Sequence, residues 1–183
     1  MDAIIGKLEA PARVFELAPT LTLKNIGLAR GKTFCDIGAG TGIFTFAARE
    51  LVDQVFSLEM NDSLLDYMKQ KAIKHDFNDI SFVKTTSTSL ELPAGSCDVA
   101  LLCTVLHELT HARAVLEQIR NILKPGGMLG LIEFHKAKTP FGPPVEHRIS
   151  ESESASLVEN AGFRLSRATR LGDNYYLQAY ACV

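Results

Sequence analysis

Hydrophobic and polar positions divide the chain into short apolar runs and longer amphipathic ones. The runs DVALLC and MLGLIEF are apolar almost throughout, which is typical of parallel strands covered on both faces. The predicted strands are Thr33–Ile37, Gln54–Leu58, Ile80–Lys84, Asp98–Cys103 and Met128–Phe134. The predicted helices are Thr20–Leu28 before the first strand, then Gly42–Leu51, Asp62–His75 and His111–Leu123 between strands. This alternation predicts an α/β fold with right-handed crossovers and a doubly wound sheet.

The C-terminal part of the chain predicts a different connection. A helix over Glu151–Ala161 precedes two closely spaced strands, Arg164–Arg170 and Tyr175–Val183. The turn between them, Gly-Asp-Asn at residues 172–174, consists of residue types that accept the backbone angles of tight turns. We therefore expect a hairpin, with the last strand antiparallel to the rest of the sheet.

The bulk composition narrows the class of protein. With 183 residues, of which 46% are hydrophobic and 22% charged, the chain fits one globular domain. Its net charge of −2 gives no reason to expect nucleic acid or an anionic membrane as a partner. The cysteines lie far apart without a C-x-x-C pair, and the first residues lack a secretory pattern. Both features suit a reducing compartment, so we expect a cytoplasmic protein.

A glycine-rich stretch, DIGAGTG at residues 36–42, follows the first predicted strand and leads into a helix. Glycines at such a junction let the backbone approach a ligand, and the free N–H groups of the helix favour negative charge. The dinucleotide fingerprint G-x-G-x-x-G fails because its third glycine position is Ile43. A P-loop is excluded because the GKT triplet at 31–33 precedes the first strand and Gly27 is one residue too close. The pattern that remains is D-x-G-x-G-x-G.

An acidic residue ends the second predicted strand. Glu59 follows Gly38 by 21 residues. A carboxylate at this point of an open α/β sheet accepts hydrogen bonds from both ribose hydroxyls, by the geometry known from dinucleotide-binding folds. The glycine loop and this carboxylate together predict a cofactor that contains a nucleoside.

These motifs resemble those of the class I S-adenosylmethionine-dependent methyltransferases, and the whole chain is similar to the small bacterial ubiquinone/menaquinone-methyltransferase-like group. The resemblance extends to LEAPARVFELAP (8–19), DVALLCTVLHEL (98–109), LKPGGMLGLIEF (123–134) and TPFGPPVEHRIS (139–150). It implies a Rossmann-like seven-stranded sheet of order 3-2-1-4-5-7-6, with strand 7 antiparallel. It also implies a single domain over 1–183, in which 1–30 form a helical cap and 31–183 the cofactor-binding core.

The resemblance further implies which residues bind S-adenosylmethionine and its product S-adenosylhomocysteine. The loop residues would be Gly38, Ala39, Gly40 and Gly42, ordered by Asp36, while Glu59 would hold the ribose and Met60 would pack on adenine. Cys103 and Thr104 would lie near the methionine amino group and the sulfonium. Thr86, followed by Ser87, stands where the family usually has an acid that binds adenine. A hydroxyl accepts a hydrogen bond less strongly than a carboxylate, so the adenine contact departs from the family pattern.

Residues 107–111 read HELTH, which matches the H-E-x-x-H pattern of zinc peptidases. In those enzymes both histidines lie one turn apart on a single helix. Here Thr110 is a suitable N-cap for a helix that starts at His111. His107 and His111 are therefore not expected to share a helix face. We expect no metal site, and a zinc hydrolase is the weaker alternative.

Four side chains at the predicted rim are candidates for a base or for contact with the methyl acceptor: His107, Glu108, Glu133 and His135. A base is needed only if the accepting atom must lose a proton. Histidine suits that role because its ordinary pKa is near 6.5. The long connection at 136–149, rich in proline and glycine, is typical of a lid or a binding loop.

The acceptor itself is not predicted by any motif. There is little room for a separate substrate domain, so selection falls to the N-terminal stretch, to the loop at 136–149, or to a second subunit in a homodimer. The resemblance implies a quinone-like or other small-molecule acceptor. An alternative is a catalytically silent domain that binds S-adenosylmethionine or S-adenosylhomocysteine as a sensor.

Overall fold

The computed structural model describes all residues, 1–183, as a seven-stranded sheet with helices on both faces. The helices are α1 Asp2–Leu8, α2 Pro11–Leu17, α3 Pro19–Asn25, α4 Ile43–Ala48, α5 Asp62–Lys74, α6 Ala112–Ile122 and α7 Glu151–Asn160. The strands are β1 Thr33–Ile37, β2 Gln54–Glu59, β3 Ile80–Lys84, β4 Cys97–Cys103, β5 Leu123–Phe134, β6 Phe163–Leu171 and β7 Tyr175–Cys182. Two short 3₁₀ turns cover Leu106–Glu108 and Val145–His147.

The strand order is β3-β2-β1-β4-β5-β7-β6, and β7 runs antiparallel to both of its neighbours. The other neighbouring pairs are parallel. The α/β class, the seven-stranded order and the terminal hairpin predicted from the sequence are therefore confirmed. The strand order reverses at β1, so the loops after β1 and β4 diverge above a crevice at the carboxyl edge, where open α/β sheets bind ligands.

The core forms two layers, one on each face of the sheet. One layer packs α6 and α7 against the central strands through side chains such as Leu116, Ile119 and Val158. The other packs α3 and α4 on the opposite face, with Leu23 and Phe44 fully or nearly buried. Covering both faces explains the unbroken apolar runs in β4 and β5. No helix combines the length and the apolar character that crossing a membrane requires.

Strand β5 starts earlier than the sequence predicts. Helix α6 ends at Ile122, and the chain is already extended at Leu123, which pairs with Cys97 of β4. The register of β4 and β5 shifts between this pair and the next one, Val99 with Met128. The breakers after Leu123 therefore form the irregular start of the strand. A β-carbon on Gly127 would lie 2.9 Å from the carbonyl oxygen of Lys124, so this close backbone approach requires glycine.

Two predictions about helices were wrong: the N-cap residue of α6 and the number of helices at the N-terminus. The N-cap of α6 is His111 and the first helical residue is Ala112, so Thr110 lies one position too early to cap it. The N-terminal region holds three short helices where the sequence predicted one, at Thr20–Leu28. Proline occupies the first position of both α2 and α3, and Ala18 between them takes a left-handed conformation with φ 38°, which separates two helices of seven residues each.

Candidate functional site

The loop after β1 is built around three glycines with left-handed backbone angles: Gly38, Gly40 and Gly42. A β-carbon on Gly38 would lie 2.6 Å from Cγ2 of Val105, and one on Gly42 would lie 2.7 Å from the ring of Phe46. The N–H groups of Gly38 and Ala39 both donate to the carbonyl of Leu58 in β2. The loop therefore bends tightly over the ends of β1 and β2, in a path that other residues could follow only with strain.

Asp36 anchors this loop from beneath. Its side chain is only 2% exposed, and its Oδ2 accepts a hydrogen bond of 2.7 Å from the hydroxyl of Thr45 in α4. Burial raises the pKa of Asp36 to about 6, against the hydrogen bonds of Thr45, which lower it. Thr45 also contacts the hydroxyl of Ser57 at 3.0 Å, so a buried polar chain ties β1, β2 and α4 together. The position of Asp36 suits the ordering role that the family resemblance implies for it.

Glu59 ends β2 directly beside the glycine loop. Its Oε2 accepts from the N–H of Gly40 at 2.8 Å, and its Oε1 accepts from the N–H of Asn61 at 2.8 Å. Each carboxylate oxygen has two lone pairs, so each retains one for a ligand hydroxyl. Met60 follows with 56% of its side chain exposed, and Lys84 holds its carbonyl oxygen at 2.6 Å. An exposed apolar side chain thus adjoins a carboxylate that is ready to accept hydrogen bonds.

Thr86 and Ser87 lie in an exposed turn just beyond β3. The hydroxyl oxygen of Thr86 accepts from the backbone N–H groups of Thr88 at 3.3 Å and of Ser89 at 3.0 Å. Both lone pairs of that oxygen are therefore used within the turn, and the hydroxyl is left as a donor only. In this arrangement Thr86 has no free acceptor for an amino group.

Thr104 follows β4 in a left-handed conformation with φ 57°. Such angles are rare for a β-branched residue, cost about 1–3 kcal/mol and cluster at functional sites. Its N–H donates to Ile132 in β5 at 2.7 Å, which fixes the distorted turn against the sheet. The neighbouring Cys103 is a thiol, because burial raises its pKa to about 12, although the charge of Arg13 acts in the opposite direction.

The sequence analysis missed Arg13, which reaches this site from α2. Its guanidinium donates to the phenol oxygen of Tyr175 at 2.9 Å and to the hydroxyl of Thr104 at 3.1 Å. The sequence of α2 contains no recognisable motif, so only the buried position of Arg13 in the fold distinguishes it from a solvent-exposed arginine. A second missed residue is Thr41, whose hydroxyl is buried within the glycine loop and has no hydrogen-bond partner.

The N-terminal helices cover the glycine loop and are attached at both of its sides. Cδ1 of Leu8 lies 3.3 Å from where a β-carbon on Gly40 would be, so the end of α1 sits over the loop. Glu9 pairs with Lys71 in α5 at 2.9 Å and accepts from the hydroxyl of Tyr67. On the other side, Glu16 in α2 accepts two hydrogen bonds from Asn174 in the β6–β7 turn.

A buried imidazole–carboxylate pair lies at the ends of β4 and β5. Nδ1 of His107 is 2.6 Å from Oε2 of Glu133, whose side chain is only 1% exposed. A carboxylate accepts hydrogen bonds only, so Nδ1 carries the proton and Nε2 of the neutral ring is free to accept one. Burial lowers the pKa of His107, but the hydrogen bond and charge of Glu133 outweigh it, and the pKa lies above its ordinary 6.5.

This pair borders an open groove of about 950 Å³ between the 3₁₀ turn at Leu106–Glu108 and helix α7. The apolar part of its lining is Leu106, Leu109, Ala112, Pro143, Ile149 and Leu157. Lys136 and Glu153 form an ion pair of 2.9 Å on its wall, and the lining also contains the charged side chains of Glu108, Glu146 and Arg148. The groove therefore suits a molecule with an apolar body and a polar group that can reach His107.

The other candidates from the sequence have different surroundings. Glu108 lines the groove but is mostly exposed, 3.7 Å from Nε2 of His107. His135 points to α7, where its Nδ1 is 2.9 Å from Glu151, and its buried Nε2 has no partner. Arg148 hydrogen-bonds to the carbonyl oxygens of Pro143, His135 and Ala137, so it organises the loop that begins at 136.

HELTH does not form one helical face. His107 lies in the 3₁₀ turn and His111 is the exposed N-cap of α6, so the expectation that the two histidines do not share a helix is confirmed. Nδ1 of His107 is already taken by Glu133. The structure holds no cluster of three or more histidine, cysteine or acidic side chains with the geometry of a metal site.

Comparisons with known proteins agree with this geometry. A family model described as a methyltransferase domain matches residues 35–131. The ubiquinone/menaquinone biosynthesis C-methyltransferase UbiE of Hahella chejuensis is 28% identical over 131 residues, 69% of this chain and 53% of that protein. The same-named protein of Ectopseudomonas mendocina is 28% identical over 145 residues, 77% of this chain and 55% of that protein. The chain thus spans about half the length of these curated relatives.

Two solved structures are similar to most or all of the chain. An S-adenosylmethionine-dependent methyltransferase from Aquifex aeolicus superposes with a TM-score of 0.94 at 26% identity, covering 100% of this chain and 99% of that one. The [4+2]-cyclase SpnF has a TM-score of 0.79 at 18% identity and covers 91% of this chain and 81% of that one. The second likeness concerns the fold alone, and fold alone does not determine the reaction.

Proposed function

This chain belongs to the methyltransferase domain family, and we propose that it is an S-adenosylmethionine-dependent methyltransferase whose methyl acceptor is a small molecule bound in the groove beside His107. The observation that carries the proposal is the position of Glu59. Its carboxylate is bonded to the N–H of Gly40, so the predicted ribose acceptor and the predicted glycine loop form one structural unit.

We further propose that the cofactor loop is Gly38, Ala39, Gly40 and Gly42, with Asp36 beneath it and Glu59 and Met60 at the nucleoside end. Two features favour this set. The hydroxyl of Thr41 is 1% exposed and has no partner, which costs free energy unless a ligand or water completes it. The two oxygens of Glu59 keep a lone pair each for the ribose hydroxyls.

We also propose four further cofactor contacts, which the geometry supports less than it supports the glycine loop: Thr86, Ser87, Cys103 and Thr104. Thr104 lies in a strained turn at the edge of β4, where the amino-acid part of the cofactor would reach. Thr86 is left with a hydroxyl that can only donate, so it would face an adenine ring nitrogen and not the exocyclic amino group.

The chemistry assigns separate tasks to the cofactor and to the chain. S-adenosylmethionine supplies an electrophilic methyl group, which is transferred in an in-line displacement. The chain aligns the acceptor, excludes water and accepts a proton from it. We assign the proton to Nε2 of His107, with Glu133 holding the ring in the required tautomer. Glu108 and His135 are left as contacts at the rim.

The acceptor that fits best is a phenol-like or hydroquinone-like molecule. Removing a proton from its hydroxyl, the role proposed for His107, raises the nucleophilicity of the ring carbon next to it. After that carbon has taken the methyl group, its own hydrogen is lost as a proton and the oxygen is reprotonated, so one proton in total is released. The groove offers apolar side chains for an aromatic ring next to His107, with the Lys136–Glu153 ion pair on its wall. The relatives' names refer to C-methylation in ubiquinone and menaquinone biosynthesis, which makes a reduced naphthoquinone a reasonable first probe.

We propose that residues 1–183 act as a single domain in which 1–30 cap the cofactor. Leu8 over Gly40 and the Glu9–Lys71 ion pair support the cap. We also propose a cytoplasmic location and a possible assembly as a homodimer.

Calorimetric titration tests the proposed cofactor site. We expect S-adenosylmethionine and S-adenosylhomocysteine to bind the protein at about micromolar Kd, about −8 kcal/mol, while NAD and zinc do not bind. Glu59→Ala should weaken S-adenosylhomocysteine at least 30-fold, because it removes the acceptor for both ribose hydroxyls. The matched control is Glu50→Ala, an exposed acid near the end of α4 that lies outside the site.

Equal affinity of Glu59→Ala and the wild-type protein would overturn the proposed ribose contact. Stoichiometric zinc binding would favour a metal hydrolase. Cofactor binding without transfer to a panel of reduced naphthoquinones and phenols would favour the sensor alternative and count against a small-molecule methyltransferase of this kind.

A further inference from the structure

Arg13 is a buried cation without a counterion. Its side chain is 9% exposed, and no carboxylate oxygen lies within 4.0 Å of its nitrogen atoms. The partners that it has are the neutral oxygens of Tyr175 and Thr104 and, at 3.9 Å, the thiol of Cys103. Its Nε is buried with no partner at all. A guanidinium has five N–H donors, so part of its capacity is unused.

Arg148 shows what a satisfied buried arginine looks like in the same protein. Its Nε and Nη1 donate to three carbonyl oxygens and to the hydroxyl of Thr139, at 2.7 to 3.0 Å. Arg148 therefore has a structural role that is complete without a ligand. Arg13 lacks such an arrangement, and a buried charge that is not fully hydrogen-bonded is costly. The difference indicates that the group which completes Arg13 comes from outside the chain.

The place of Arg13 on the sheet identifies that group. The proposed ribose acceptor, Glu59, ends β2, whereas the guanidinium of Arg13 contacts Thr104 just past β4. Strand β1 lies between them, so the two sites are two strand spacings apart, about 10 Å. A ligand with its nucleoside at Glu59 and a chain long enough to cross the glycine loop would bring its other end to Arg13. In S-adenosylmethionine that end is an amino acid with one carboxylate.

We propose that Arg13 binds the carboxylate of the cofactor's amino-acid portion and thereby connects the N-terminal helices to cofactor binding. The inference rests on the proposed function. It assigns a ligand contact to the N-terminal cap, because Arg13 lies on α2. The same helix is attached to the β6–β7 turn through Glu16. A guanidinium matches a carboxylate with two parallel hydrogen bonds, and Tyr175, Thr104 and Cys103 use only part of the five N–H donors of Arg13.

The test compares two nucleosides that differ at the amino-acid end. S-adenosylhomocysteine carries the carboxylate, whereas 5′-methylthioadenosine has the same adenosine and sulfur but no amino-acid chain. Calorimetry gives the Kd of each for the wild-type protein, Arg13→Gln and Arg13→Lys. Arg113→Gln, an exposed arginine on α6, is the charge-matched control, and circular dichroism verifies that each variant is folded.

Arg13→Gln should weaken S-adenosylhomocysteine about 10- to 100-fold and leave the affinity for 5′-methylthioadenosine within about twofold. Arg13→Lys should recover part of the loss, and Arg113→Gln should change neither affinity. Equal weakening of both nucleosides would overturn the inference, because it indicates a structural role for Arg13. An unchanged affinity for both would overturn it as well. If neither nucleoside binds the wild-type protein, the proposed function fails and the inference fails with it.

Discussion

The two sides of the crevice are assembled in different ways. On the β1–β2 side, Asp36 bonds to Thr45 and Gly40 bonds to Glu59, over separations of 9 and 19 residues. On the β4–β5 side, Arg13 bonds to Tyr175 over a separation of 162 residues. The first side is made by one β-α-β unit, whereas the second is made by packing elements from both ends of the chain. Binding of the nucleoside is therefore expected to depend on local geometry, whereas binding of the cofactor's amino-acid end and methyl transfer depend on the packing of distant elements.

The largest expected effect separates transfer from binding. His107→Gln removes the proposed base, and general acid–base catalysis contributes about 10²- to 10⁴-fold. The rate of tritiated methyl transfer to reduced 1,4-naphthoquinone should fall at least 100-fold, while the Kd of S-adenosylhomocysteine should stay within about twofold. His111→Gln is the matched control, since His111 is exposed at the start of α6. A loss of cofactor affinity in His107→Gln would break the division between the two sides.

The same prediction has a pH signature. His107 must be neutral to accept a proton, and its pKa lies above 6.5 because Glu133 outweighs the effect of burial. The transfer rate should therefore rise with pH through a midpoint above 6.5. The pair's contribution to stability has the opposite sign: it is fully present below pH 6.5 and is lost as the pH rises through the raised pKa. A rate that is flat between pH 6 and 9 would contradict a base role for His107.

A smaller effect concerns the glycine side, where Gly38→Ala and Gly95→Ala form a matched pair. Both glycines have left-handed angles, φ 69° and 65°, but a β-carbon on Gly95 meets nothing within 4 Å. Gly95→Ala should lower the free energy of unfolding by about 1–2 kcal/mol, the conformational cost alone. Gly38→Ala should lower it by about 2 kcal/mol more, because of overpacking against Val105. Urea unfolding measures both, and equal losses would contradict the close packing.

The sequence predicted most of what local patterns determine. The strands β1 and β3 have the predicted bounds, and β2 and β4 differ by one residue. Their apolar runs and the flanking turns were sufficient to locate all four strands, although only the inner strands such as β1 and β4 are mostly buried and the edge strand β3 is partly exposed. The glycine loop and Glu59 could be singled out for a similar reason: their spacing follows from one strand–helix–strand unit.

The sequence could not predict what long-range contacts determine. Nothing in α2 distinguishes Arg13 from a solvated arginine until Tyr175 and Thr104 are brought beside it by the fold. The two earliest helices were missed because seven-residue helices have little periodicity and depend on tertiary packing. The early start of β5 was missed because proline and glycine, read locally, indicate a break, whereas pairing with β4 keeps the segment extended.

A crystal structure of the protein with S-adenosylhomocysteine tests the central claim most directly. The account predicts one nucleoside across the ends of β2, β1 and β4, with the carboxylate of Glu59 within hydrogen-bond distance of both ribose hydroxyls and the guanidinium of Arg13 on the ligand's carboxylate. A nucleoside bound in the groove beside His107, or a glycine loop that stays covered by Leu8 with Glu59 free of ligand, would contradict it.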